Sequence, residues 1–201
     1  MPLETLATFS LAFFVFAISP GPDNLTILSK TITRGPRYGI AYGAGVVLSI
    51  FGFVILSAIG FNALAQHINE HLRIVQYVGA LYLIYAGIAM WRASSSIEPR
   101  SLRGGVLGLF GAGFLLNISN PKMPIFYLAL LPAVLGKEDL TPRRVGLLLL
   151  LIAGIEVIVI GAHVFLAYRA KSFLNEPRRL RLLNRGAGSL MIGAGVLVAS
   201  R

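Results

Sequence analysis

The chain has 201 residues, 56% of them hydrophobic and 13% charged, with a mean hydropathy of +0.76. Soluble domains carry about 25% charged residues, so a chain this apolar cannot cover its own surface in water, and its solvent is largely lipid. The net charge of +10 would suggest a nucleic-acid partner in a soluble protein, but here the basic residues fall in short loops between apolar runs, as membrane topology signals do. No nucleic-acid partner is expected.

The chain contains no cysteine, which excludes disulfides and thiolate metal sites. Its three histidines, His67, His71 and His163, are too scattered for a metal cage. Glu4 stands where a signal peptide would carry positive charge, so the first apolar run reads as part of the protein.

A helix crosses the hydrocarbon core with roughly 20 apolar residues. In chain order the apolar runs are Thr5–Pro22, Tyr38–Gln66, Ile74–Trp91, Gly104–Pro121 continuing through Met123–Gly136, Val145–Tyr168, and Gly186–Ser200. They predict six transmembrane helices. The last run is short and draws in Leu182 and Leu183 while Arg185 snorkels; five spans plus a surface helix is the alternative. The loops after the first, third and fifth runs hold twelve basic residues and the opposite side five. The first set, beginning with Lys30, Arg34 and Arg37, is therefore expected in the cytoplasm, with both termini outside.

The first run ends in ISPGPDNL, Ile18–Leu25, and the fourth in NISNPKMP, Asn117–Pro124. At an offset of 100, FVFAISPGPD lies over FLLNISNPKM, so two proline breaks with polar neighbours coincide. Gly35-Pro36-Arg37 matches Thr141-Pro142-Arg143 at 106, and Tyr85-Ala86-Gly87-Ile88 matches Gly193-Ala194-Gly195-Val196 at 108. The chain thus reads as a single domain, 1–201, built from a repeat over about residues 5–92 and another over about 104–200. Three spans per unit is an odd number, so the units enter the membrane from opposite sides. The fold class is all-α, a polytopic inverted 3+3 repeat with its first and fourth helices broken at the proline motifs. Interrupted helices paired in this way mark midplane substrate sites in secondary transporters, because backbone freed by a break is tolerated only against protein or water. The competing reading is that these prolines only kink or cap their helices.

Four ionisable residues fall inside the runs: Asp23, Lys122, Glu156 and His163. Such groups cost at least about 2.5–3.5 kcal/mol to insert, so they face partners or water. Glu156 is the twelfth of the 24 residues of Val145–Tyr168, near mid-bilayer. It serves either proton coupling or a salt bridge to Lys122. His163 reads as interfacial and structural. Gly39-xxx-Gly43 and Gly104-xxx-Gly108 read as helix-packing surfaces, and glycine-rich faces leave room for a homodimer. Tyr77, Tyr82, Tyr85 and Trp91 mark either an interface belt or a pathway, and the belt suits Trp91.

With Pro20-Gly21-Pro22 and Asn120-Pro121-Lys122 about 100 residues apart in six spans, the chain resembles the LysE/RhtB family of amino-acid exporters over about residues 5–199. Also similar are PGPDNLTILSKTITRGPRYGIAYGAG, YVGALYLIYAGIAMWR and SLMIGAGV. The resemblance implies a non-enzymatic secondary exporter of amino acids or their derivatives, in the cytoplasmic (inner) membrane of a bacterium. It implies exchange with protons and no cofactor. The candidate substrate-binding or coupling residues are Pro20, Gly21, Pro22, Asp23, Asn24, Asn117, Asn120, Pro121, Lys122 and Glu156. Competing functions are a small-cation or metal exporter, which would show more Asp, Glu or His within its spans, and an integral-membrane enzyme or accessory subunit. An enzyme would need an acid/base or metal constellation at one membrane face, and none is legible.

The basic asymmetry makes the topology testable. Cysteines introduced at Ser95 and Asn175 should resist an impermeant maleimide in intact cells. Labelling of both would reverse the orientation, and labelling of one would break the six-span scheme.

Overall fold

A proline-free stretch of 16 residues, Leu3–Ile18, forms the first helix, α1. Its buried face is Phe9, Phe13 and Phe16, at the spacing that brings side chains to one side of a helix. The computed structural model describes residues 1–18, 21–65, 77, 80–81, 84–85, 87–89, 91–92, 102, 104–120, 127, 140–169 and 177–199. All regular structure among them is α-helical. After α1 come α2 (Pro22–Arg34), α3 (Pro36–Ala65), α4 (Val106–Ile118), α5 (Pro142–Arg169) and α6 (Pro177–Ala199). The described residues of the third apolar run, between Tyr77 and Trp91, are helical too.

The break expected in the first run is present. The chain leaves α1 at Ile18 and restarts at Pro22, with Gly21 as the extended N-cap, and the two helices are bent by 56°. Proline suits that first position because its missing N–H would find no partner there in any case.

Beyond the break the structure departs from expectation. Lys30 and Arg34, read as a cytoplasmic loop, lie in the 13-residue helix α2, and Lys30 is buried. Within the helix, two side-chain hydroxyls are satisfied by the carbonyls one turn back. Thr26 Oγ1 donates to the Pro22 carbonyl at 2.6 Å and Thr33 Oγ1 to Ser29 at 2.7 Å. The helix stops at Gly35, whose φ of +104° favours glycine, and α3 begins at the next residue.

With 30 and 28 residues, α3 and α5 are long enough to cross a bilayer, at about 1.5 Å per residue. Along α5, Leu148, Ile152, Glu156 and Val159 are buried, whereas Leu150, Val157, Ile158 and Phe165 are exposed. An exposed aliphatic face of that kind suits lipid. The sixth run is longer than expected, since α6 starts at Pro177 and takes in Arg178, Arg179, Arg181 and Arg185.

Three contacts join segments that carry or flank basic residues in pairs. Lys30 Nζ donates to the Leu102 carbonyl at 3.3 Å, Trp91 Nε1 donates to the Arg185 carbonyl at 2.8 Å, and Leu28 packs with Ala167.

The tightest crossing joins α3 to α4. A Cβ on Gly45 would strike the Phe110 carbonyl, and one on Gly113 would strike the Tyr42 carbonyl. Both obstacles are backbone, so neither can yield cheaply. Of the two glycine pairs read from spacing, Gly39 packs on Thr31 of α2 and Gly43 on Ile160 of α5. Gly108, by contrast, meets nothing within 4 Å, and Gly104 meets only Gly108.

Gly113→Ala should therefore force α3 and α4 apart, at an overpacking cost of about 1–3 kcal/mol. Gly111→Ala, at a position with nothing within 4 Å, should be neutral or gain up to about 1 kcal/mol of helix propensity. Thermal unfolding of the two variants in detergent separates them.

Candidate functional site

A carboxyl group in an apolar bundle needs hydrogen-bond donors, and Asp23 receives three. The restart of the helix at Pro22 puts Asp23 in the first turn of α2, where it is 9% exposed. Tyr42 of α3, fully buried, donates its hydroxyl to Oδ1 at 2.7 Å. Asn117, also fully buried in the last turn of α4, donates Nδ2 to Oδ2 at 3.1 Å, and Asn120 Nδ2 reaches the same oxygen at 3.4 Å. The asparagines come from residues 94 and 97 positions along the chain. The restart of the helix at α2 and the end of α4 therefore meet at one carboxyl group.

Local geometry fixes these donors. Helix α4 ends at Ile118, Ser119 Oγ caps back to the Leu115 carbonyl at 2.8 Å, and Asn120 N–H bonds the Asn117 carbonyl. That turn aims both asparagines towards Asp23. Asn24 Nδ2 bonds the Ala17 carbonyl of α1 at 2.6 Å, tying the two sides of the first break together. The Asn117 Oδ1 atom is buried and has no hydrogen-bond partner.

Gly21, Pro22, Asp23, Asn24, Asn120 and Glu156 line one cavity, with Phe16, Ala17, Ile27, Val46 and Ile50 as its apolar wall. Glu156, 6% exposed on α5, lies outside the Asp23 hydrogen-bond network but faces the same space. The cavity thus offers two carboxyl groups, amide groups, and the first-turn N–H groups of α2, which have no partner within their helix.

Of the residues expected at the site, Pro20, Pro121 and Lys122 lie outside the described residues, as does any contact of Lys122 with Asp23 or Glu156. The other seven come together around Asp23 and its cavity. His163 is tied to its own helix, Nδ1 to the Val159 carbonyl at 2.8 Å, and takes no part. Sequence reasoning missed Tyr42. A phenol in the interior of a long apolar run needs a partner for its hydroxyl, and that was the available signal.

The family described as LysE type translocator matches residues 14–201. The homoserine/homoserine lactone efflux protein of Salmonella typhimurium is 29% identical over all of this chain and 98% of its own length. An uncharacterized membrane protein of Vibrio cholerae is 26% identical over the same shares. The leucine efflux protein of Salmonella choleraesuis is 26% identical over 61% of this chain and 59% of its own. No solved structure matches.

Tyr42→Phe keeps the ring and removes one donor to Asp23. A hydrogen bond to a charged group contributes about 1.5–3 kcal/mol, so substrate transport should fall about tenfold or more while the protein stays in the membrane. Transport at the wild-type rate would remove Tyr42 from the site.

Proposed function

The chain belongs to the LysE type translocator family, and we propose that it exports amino acids or close derivatives by exchange with protons. The observation that carries this reading is the cavity in which Asp23 and Glu156 face each other's space beneath the broken first helix. Relatives named for efflux of homoserine, homoserine lactone and leucine support the substrate class.

A zwitterion fits the chemistry of this cavity. Its carboxylate would sit at the N-terminus of α2, where unpaired N–H groups and the helix dipole favour an anion. Its ammonium would meet Glu156. Phe16, Ile27, Val46 and Ile50 would contact the side chain. Asp23 is committed to three donors. Glu156 can gain or lose a proton without dismantling that network. Protonated, it no longer holds an ammonium as an ion pair, so proton and substrate compete for one carboxyl group. Such competition is the minimum requirement for antiport.

The scheme also needs two halves that can rock about the site. Several pairings support an inverted repeat. Helix α3 packs on α4 as α5 packs on α1 and α2, and α3 and α5 pack on each other. Exchanging the two halves carries these three packings into one another, whereas the counterparts of the α2–α3 and α1–α6 packings fall largely outside the described residues. Helices α3 and α5 both begin on the proline of the matched tripeptides, Pro36 and Pro142.

The test is efflux of radiolabelled homoserine and leucine from proteoliposomes, with and without an imposed pH gradient. The wild type should be accelerated by the gradient. Glu156→Gln should lose that acceleration while losing less of the amino-acid counterflow. Gradient-driven efflux persisting in Glu156→Gln would overturn the assignment of Glu156.

A further inference from the structure

Lys30 is the one buried lysine among the described residues, at 6% exposure. It shares a helical face with two cavity residues, since Asp23, Ile27 and Lys30 have the i, i+4, i+7 spacing. Asp23 and Ile27 both line the cavity, so that face of α2 leads from the cavity to Lys30. Seven residues at about 1.5 Å each put Lys30 about 10 Å further along the axis, one helical turn before Arg34 at the end of α2.

The Lys30 ammonium donates to the main-chain carbonyl of Leu102 at 3.3 Å. Leu102 lies just before Gly104, whose φ is +128°, and the N-cap Gly105 of α4. The bond therefore spans from the first half of the chain to the approach of the second. A neutral carbonyl at that distance is a weaker acceptor than a carboxylate, since charge-assisted hydrogen bonds are shorter and roughly twice as strong. An arriving anion can compete for it.

Resting on the export reading, we propose that Lys30 is an outer recognition station for the substrate's α-carboxylate, which takes the place of the Leu102 carbonyl at the ammonium. The span of about 10 Å is too long for one zwitterion to bridge Lys30 and Asp23. The two positions are successive stations, and the carboxylate is handed along α2 to the N-terminal site. Arg34, one helical turn further along α2, adds positive charge that raises the local concentration of anions. Loss of the Leu102 bond on substrate arrival also loosens the hold of α2 on the approach to α4.

A pair of probes that differ in the carboxylate separates this station from a structural role. Homoserine carries a free carboxylate, and homoserine lactone does not. In proteoliposomes, Lys30→Gln should lower kcat/KM for homoserine at least tenfold more than for the lactone. Lys30→Arg, which keeps the charge, should restore most of the homoserine preference. Equal losses for both probes in Lys30→Gln, or no loss for either, would overturn the role of Lys30 while leaving the export reading standing. A wild-type protein that moves neither these compounds nor leucine would overturn the export reading itself, and this inference with it.

Discussion

A carboxyl group buried among apolar helices is stable only if the structure brings donors to it, and Asp23 of α2 draws its donors from elsewhere in the bundle. Tyr42 of α3 and the asparagines at the end of α4 converge on its two oxygens. Replacing the carboxyl by an apolar group would leave amides and a hydroxyl without their shared acceptor, and unmatched buried polar groups of this kind cost about 1–3 kcal/mol each. The break after α1 and the termination of α4 are therefore two sides of one arrangement. The glycines at the α3–α4 crossing serve it as well, because the backbone contact between Gly113 and Tyr42 holds the phenol at the same level as Asn117.

Much of this arrangement could be read from the sequence. Scarcity of charge and the lengths of the apolar runs point to a helical membrane protein, and α1, α3 and α5 coincide with the expected runs to within a few residues at their ends. The two proline breaks stand out as polar interruptions, and Asp23, Asn117, Asn120 and Glu156 stand out as polar groups in apolar surroundings. The features that escaped sequence reasoning depend on partners distant in the chain or on bonds within a polar helix. Residues 22–34 are polar enough to read as a loop, but their hydroxyls bond to their own helix, and Lys30 finds a carbonyl 72 residues away. Tyr42 reads as packing until its hydroxyl is seen to face Asp23. Glycine spacing points rightly to Gly39 and Gly43, which pack closely, but not to Gly104 and Gly108, and it passes over Gly45 and Gly113 at the α3–α4 crossing because neither has a glycine four residues away.

The two carboxyl groups have different surroundings and so suit different work. Asp23 is fastened by hydrogen bonds and organises the junction of the halves. Glu156 sits across the same cavity on α5, outside that network, and can change its protonation at lower structural cost. A transporter needs both a fixed point about which the halves move and a group whose charge can alternate. In the proposed exchange the fixed point would be Asp23 on α2, and the alternating group would be Glu156 on α5. The coupling of proton to amino acid would then be a direct competition within one cavity, with no signal to carry over a distance.

The central claim is that Asp23 and Asn117 act as a unit across the two halves. A double-mutant cycle on Asp23→Asn and Asn117→Ala, read as kcat/KM for amino-acid efflux in proteoliposomes, measures this most directly. Residues in one hydrogen-bond network show interaction energies of about 0.5–3 kcal/mol. The account predicts a double variant no worse than the more damaged single variant, with coupling in the upper part of that range. Additive losses would mean that the two residues act independently, and would contradict the account.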